Sequence, residues 1–194
     1  MLFLSQPMNA QEEGATTGSL NGHEWVDLGL SVKWATCNVG ASAPEQYGNY
    51  YAWGETKPKD EYTDENSVTY QQQMSDIACN PQYDAATANW GEGWKMPTRT
   101  QMGELNTICT WEWMKQNGVR GYKVTGPNGN SIFLPAAGHW SSTAFTDASC
   151  GYNYYWSSTP NSSTTAFNLR FNSNAFIVEG NHRTIGYTVR PVRE

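Results

Sequence analysis

The chain has 194 residues, with 12 Lys and Arg against 18 Asp and Glu and a net charge of −6. That length supports one domain with a sizeable core. The acidic balance argues against a nucleic-acid partner or an anionic membrane surface, both of which call for a basic patch. Only 15% of residues are charged while 13% are aromatic, the reverse of the balance that keeps a chain disordered.

In chain order, the apolar start Met1 to Gln11 has a small residue at Ala10 and reads as the tail of a secretory signal cut before Gln11. It lacks a basic leading segment, so an ordinary apolar N-terminal segment is the alternative. No apolar run reaches the ~18 residues of a membrane span. Residues 11–20 read as a flexible leader, so the predicted organisation is an N-terminal segment over 1–19 and one domain over 20–194. Strands are predicted over Glu24 to Leu28, Val32 to Val39 and Tyr50 to Trp53, and a long loop over 55–82. Asp84 to Trp90 reads as a short helix. Thr98 followed by Gln101 is a capping box, and Met102, Leu105 and Ile108 make an apolar stripe, so a helix is predicted over Thr98 to Cys109. Trp111 to Met114 resumes extended structure, and Gly121 to Thr125 and Ser131 to Leu134 flank the turn Pro127-Asn-Gly-Asn130. Later strands are predicted over Tyr154 to Ser158, Phe167 to Phe171, Ala175 to Glu179 and Tyr187 to Val192. The sum predicts an α+β domain with few helices, many short antiparallel strands and long loops.

Chemistry-bearing motifs are sparse. His23, His139 and His182 are dispersed, with no HExxH or GxSxG pattern. Cys37, Cys79, Cys109 and Cys150 have no CxxC spacing, so no metal site is expected, and they fit either disulfides or buried thiols. The acidic run Asp60, Glu61, Asp64 and Glu65 reads as a solvated loop. A Cys150–His182 pair is the only enzymatic combination worth naming. No cofactor is expected. Most of the nine tryptophans, including Trp34, Trp53, Trp90, Trp94, Trp111 and Trp156, read as core, whereas Trp140 is the best exposed aromatic.

The blocks Gly22-His-Glu-Trp-Val-Asp-Leu-Gly-Leu-Ser-Val-Lys-Trp-Ala-Thr-Cys-Asn-Val-Gly40, Tyr51-Ala-Trp-Gly-Glu55, Trp94-Lys-Met-Pro-Thr98, Ser131-Ile-Phe-Leu-Pro-Ala-Ala-Gly138 and Tyr155-Trp-Ser-Ser-Thr159 resemble the "major paralogous domain" family of exported bacterial proteins. The resemblance implies a C-type-lectin-like fold, distantly related to formylglycine-generating enzymes. Those enzymes use a late pair of reactive cysteines, whereas this chain has only Cys150 after Cys109, so their chemistry does not carry over. The ending Gly186-Tyr-Thr-Val-Arg-Pro-Val-Arg193 is similar to the fixed tail of variable proteins diversified by retroelements, in which template adenines are randomised. Ser157 to Val189 fits, containing no Lys, Gln, Met or Trp and recurrent Asn at 161, 168, 172, 174 and 181. Glu179 departs from an Asn-codon origin.

After Lys123 the only acidic residues are Asp147, Glu179 and Glu194, against Arg170, Arg183, Arg190 and Arg193, and there is no Lys. A polar, nearly neutral, aromatic-rich surface has the composition of a paratope. Alternation puts Phe167, Leu169, Phe171, Phe176 and Val178 inward and Asn168, Arg170, Asn172, Ala175, Ile177 and Glu179 outward. With Tyr152, Asn153, Asn174, Asn181, His182, Thr184 and Ile185, the outward set is the expected ligand surface. The expected function is non-covalent, adhesin-type recognition of a protein or glycan on another cell or particle by a secreted, cell-surface or phage-borne protein, with no catalytic step. The alternatives are a fixed structural or pilus-associated surface protein and, less favoured, an enzyme.

Overall fold

A computed structural model describes residues 16–146 and 151–194. Its first hairpin joins strands β1 (Thr17–Leu20) and β2 (His23–Val26), with Leu20 opposite His23. The connecting Asn21 and Gly22 have φ of 52° and 81°, the two left-handed residues that a tight hairpin turn requires. Strand β3 (Lys33–Ala35) pairs with β2. The leader expected over 11–20 is thereby corrected for Thr17–Leu20, which is ladder-paired. Residues 1–15, including the signal-like stretch, lie outside the described residues.

Helix α1 (Ala85–Trp90) starts at Asp84, whose Oδ1 accepts from the Ala86 and Thr87 amides. Helix α2 (Arg99–Ile108) has the predicted capping box: Thr98 Oγ1 accepts from Gln101 N, and Gln101 Oε1 accepts from Thr98 N. A meander follows, of β4 (Thr110–Gln116), β5 (Val119–Thr125) and β6 (Ser131–Pro135). Its first turn is a second Asn-Gly pair, with Asn117 at φ 48° and Gly118 at 86°. A small hairpin, β7 (His139–Ser141) and β8 (Ala144–Thr146), comes next. Strands β9 (Asn153–Pro160), β10 (Thr165–Phe171) and β11 (Phe176–His182) form an antiparallel sheet in the order β11-β10-β9. Finally β12 (Val192–Arg193) returns to pair with β3. Of the predicted strand Tyr187 to Val192, only Val192 lies in a named strand. Tyr187 and Thr188 instead make single bridges to Tyr51 and Tyr155.

Among the described residues the class is β-rich, with 38% strand and 9% helix in two short helices, which corrects the α+β class expected for a C-type-lectin-like domain. The reason is visible locally. Helical spacing of apolar residues is confined to two short stretches, whereas Asn, Gly, Ser and Thr break the rest into short extended runs.

Two apolar clusters hold these sheets together. One gathers Trp25, Trp53, Trp94, Trp156 and Tyr187. The other gathers Leu28, Trp34, Leu105, Tyr122, Leu134, Tyr155 and Phe171. A buried indole removes ~200 Å² from water, worth about 5 kcal/mol at ~25 cal/mol per Å². The tryptophans therefore do much of the work that a larger aliphatic core would do elsewhere. Among the described residues no helix is long and apolar enough to cross a membrane.

Candidate binding surface

The β11-β10-β9 sheet has one face in the second core; on the other, Trp156 and Ala166 belong to the first core, while Arg170 and Ile177 belong to neither. Cross-strand register puts Tyr154, Arg170 and Ile177 in one row and Trp156, Asn168 and Glu179 in the next, all on the same face. Phe171, Leu169, Phe176 and Val178 occupy the opposite face, where Trp111 stacks on Phe176 with ring centroids 4.3 Å apart.

At the centre of the outer face, Arg170 is held from two sides. Its guanidinium carbon lies 4.4 Å from the Tyr152 ring centroid, and its Nε is 3.1 Å from Glu179 Oε1. The planar cation is thereby pre-positioned rather than free to rotate, which lowers the entropy lost on contact with a ligand. Tyr152 and Ile177 flank it at 43% and 46% exposure, large apolar groups that do not contribute to the core. Toward β9, Tyr154 stacks on Tyr187 at 4.5 Å, and the His139 ring meets Tyr154 edge-on at 5.1 Å. Burial pushes the Tyr154 hydroxyl up and holds His139 below its ordinary range, so both stay uncharged near neutrality. The β7–β8 hairpin extends this surface with Trp140 and Phe145, 5.4 Å apart, and is tied to the C-terminal segment by paired hydrogen bonds between Trp140 and Gly186.

Of the predicted site residues, Tyr152, Arg170, Asn174, Ala175, Ile177, Glu179 and His182 are exposed or half-exposed. Three are corrected. Asn153 is buried, its Oδ1 accepting from Gly138 N and its Nδ2 donating to Phe171 O. Asn168 is fully buried and donates to the Glu179 carbonyl at 3.1 Å. Thr184 is buried between Arg183, whose carbonyl accepts from Trp53 N, and Gly186. Three more serve structure in part. Asn172 Oδ1 accepts from Asn174 N and Ala175 N to shape the β10–β11 turn, Asn181 Oδ1 accepts from His182 N, and Ile185 packs on the first core. Tyr154, His139 and Phe145 were absent from the predicted set. Tyr154 was findable, because alternation along β9 puts it beside Tyr152, but His139 and Phe145 come from a hairpin with no strong sequence signal. Trp140, expected exposed in a loop, is half-buried in β7.

No group of three or more His, Cys, Asp or Glu is placed to hold a metal ion among the described residues. Cys37, Cys79 and Cys109 are free thiols, and Cys150, with its suggested pairing to His182, lies outside the described residues.

A family model described as a domain of unknown function, DUF8237, matches residues 95–192. The chain belongs to the DUF8237 family. The matched span runs from the end of the α1 loop through α2 and all of the β4–β11 region to β12, so the family region contains every residue of the surface described above. No curated protein and no solved structure matches the chain.

Proposed function

We propose that this protein is a non-covalent recognition module that engages a macromolecular target, protein or glycan, through the outer face of the β9–β11 sheet and the adjoining β7–β8 hairpin. The observation that carries this is the Tyr152–Arg170–Glu179 arrangement with Ile177 beside it. Tyr and Arg are the residue types that dominate binding hot spots, and here Tyr152 is exposed, Arg170 half-exposed, and both are preorganised and outside the core. No chemical step is assigned. The proposal places the protein outside the cell or on its surface, where an adhesin-type module meets a partner on another cell or particle.

Diversification by a retroelement is part of the same proposal, narrowed by burial. The positions free to vary are Tyr152, Arg170, Asn174, Ala175, Ile177 and His182, while Asn153, Asn168 and Thr184 are bound to structural duties. The gene's flanks test it: a near-copy of the segment coding for residues 150–190, differing mainly at template adenines beside a reverse transcriptase, is the expected finding, and its absence removes this part.

The binding proposal is tested on arrays of glycans and of cell-surface proteins probed with the purified chain. Arg170→Ala and Tyr152→Ala are expected to weaken any captured ligand by more than about 1 kcal/mol, with an unfolding midpoint shifted little. Asn168→Ala is expected to do the opposite, lowering stability by about 1–3 kcal/mol through a lost buried hydrogen bond. Ligand binding indifferent to Arg170 and Tyr152 refutes the assigned face.

A further inference from the structure

Strand β11 is the outer strand of its sheet, and its free edge has a defined phase. The β10–β11 ladder begins with Asn172 N donating to Ala175 O and continues beyond the strands with Arg183 N donating to Thr164 O. With the observed register, hydrogen-bonded pairs fall at Arg170–Ile177, Asn168–Glu179 and Ala166–Asn181. The backbone groups of Phe176, Val178 and Gly180 therefore point away from β10. Among the described residues no hydrogen bond reaches them. The edge carries no Pro, Lys or bulge of the kind that blunts open strands.

The edge is also apolar in a self-matching way. When two copies of β11 are laid antiparallel about Ile177, Phe176 faces Val178 of the other copy, Val178 faces its Phe176, and Ile177 faces Ile177. The outward backbone groups of Phe176 and Val178 then form the hydrogen-bonded pairs, and Ile177 falls at the closely spaced non-hydrogen-bonded position, where side chains contact best. Glu179 meets Ala175 of the other copy, so no like charges oppose. Ile177, 46% exposed in the single chain, gains an apolar neighbour. Ile108, at the end of α2, the helix that packs against β11, is also exposed, at 52%.

We propose that two copies of this chain associate through antiparallel pairing of their β11 edges about Ile177, joining two three-stranded sheets into one six-stranded sheet. The two outer faces then lie side by side on one surface. The pairing shares Ile177 with the ligand surface above but does not require a ligand, and its readout is self-association rather than ligand capture.

The test is sedimentation velocity on the full chain over a concentration series, together with two cysteine variants under mild oxidation. The parent chain is expected to show a monomer–dimer equilibrium. Val178→Pro removes two of the four central intermolecular hydrogen bonds, one per copy, yet deletes an N–H that the β10 ladder does not use. It is expected to weaken the dimer at least about tenfold. Ile177→Cys is expected to give a disulfide-linked dimer above the background of the four native cysteines, and Glu179→Cys is not, because only Ile177 meets its own copy. Should Val178→Pro misfold, as judged by circular dichroism, the cysteine pair decides. A chain that stays monomeric at every concentration, including one whose edge takes up an extended peptide instead, overturns the proposal. So does equal cross-linking of the two cysteine variants.

Discussion

Two buried arginines show how single residues organise this protein. Arg190 is 1% exposed; its Nε donates to Asn38 Oδ1 at 2.7 Å, and its terminal nitrogens donate to the carbonyls of Ala35, Thr36 and Phe133. Arg183, also fully buried, lies over the Trp53 ring and donates to the carbonyls of Thr69, Gln72, Thr165 and Ser162. Each guanidinium thus cross-links strands to loops, donating to carbonyls of the strand residues Ala35, Phe133 and Thr165 as well as of the loop residues Thr36, Thr69, Gln72 and Ser162. Lysine offers a point charge without the planar fork, so Arg190→Lys is expected to destabilise by about 3 kcal/mol or more, read as a fall in the urea midpoint. His139 gives a pH dependence. Burial lowers its folded-state pKa, so the folded chain binds fewer protons than the unfolded one between that lowered value and the ordinary histidine value. Its contribution is complete above about pH 6.5 and is lost as the pH falls toward the folded value. His23, stacked on Trp90 at 3.7 Å and likewise lowered by burial, acts in the same direction. Urea titrations across this window should show stability falling on acidification, and His139→Phe should reduce the slope.

At the scale of elements, local chemistry decides where strands and helices begin. The Asn-Gly pairs at 21–22 and 117–118 set two hairpins, and the Thr98–Gln101 box sets the start of α2. Because α2 packs across β9, β10 and β11, its cap also supports the underside of the sheet that carries the candidate surface. Thr98→Ala is expected to cost about 1 kcal/mol, measured by thermal unfolding, without changing the residues displayed on the outer face. The helix boundaries and the β5–β6 turn were legible in the sequence because caps and turns depend on residues a few positions apart. The β1–β2 hairpin was equally available from Asn21-Gly22, but the preceding Gly- and Thr-rich residues resemble a leader until their pairing partner is known. The β7–β8 hairpin was not legible: three-residue strands carry too little alternation to register.

Over the whole molecule, the C-terminal segment returns to the beginning of the chain. Val192 lies opposite Trp34, Val39 N donates to Val189 O, and Arg190 ties both to β6. This return fixes the sheet to a frame of tryptophans and carbonyl-bound arginines, and Ile177 on its outer face belongs to neither core. Short-range features were legible in the residues alone: where α1 and α2 start, the 127–130 turn, and Leu169, Phe171, Phe176 and Val178 as inward, whereas Phe167, also expected inward, is half-buried beneath Arg99. The β-rich class, the interior placement of Asn153, Asn168 and Thr184, and the joining of His139 and Phe145 to the surface emerge only from contacts between distant segments. The physical reason is range. Caps, turns and alternation are written within a few residues, whereas burying an asparagine requires hydrogen-bond partners, here Gly138, Phe171 and Glu179, that lie 11 to 18 residues away on other strands and loops.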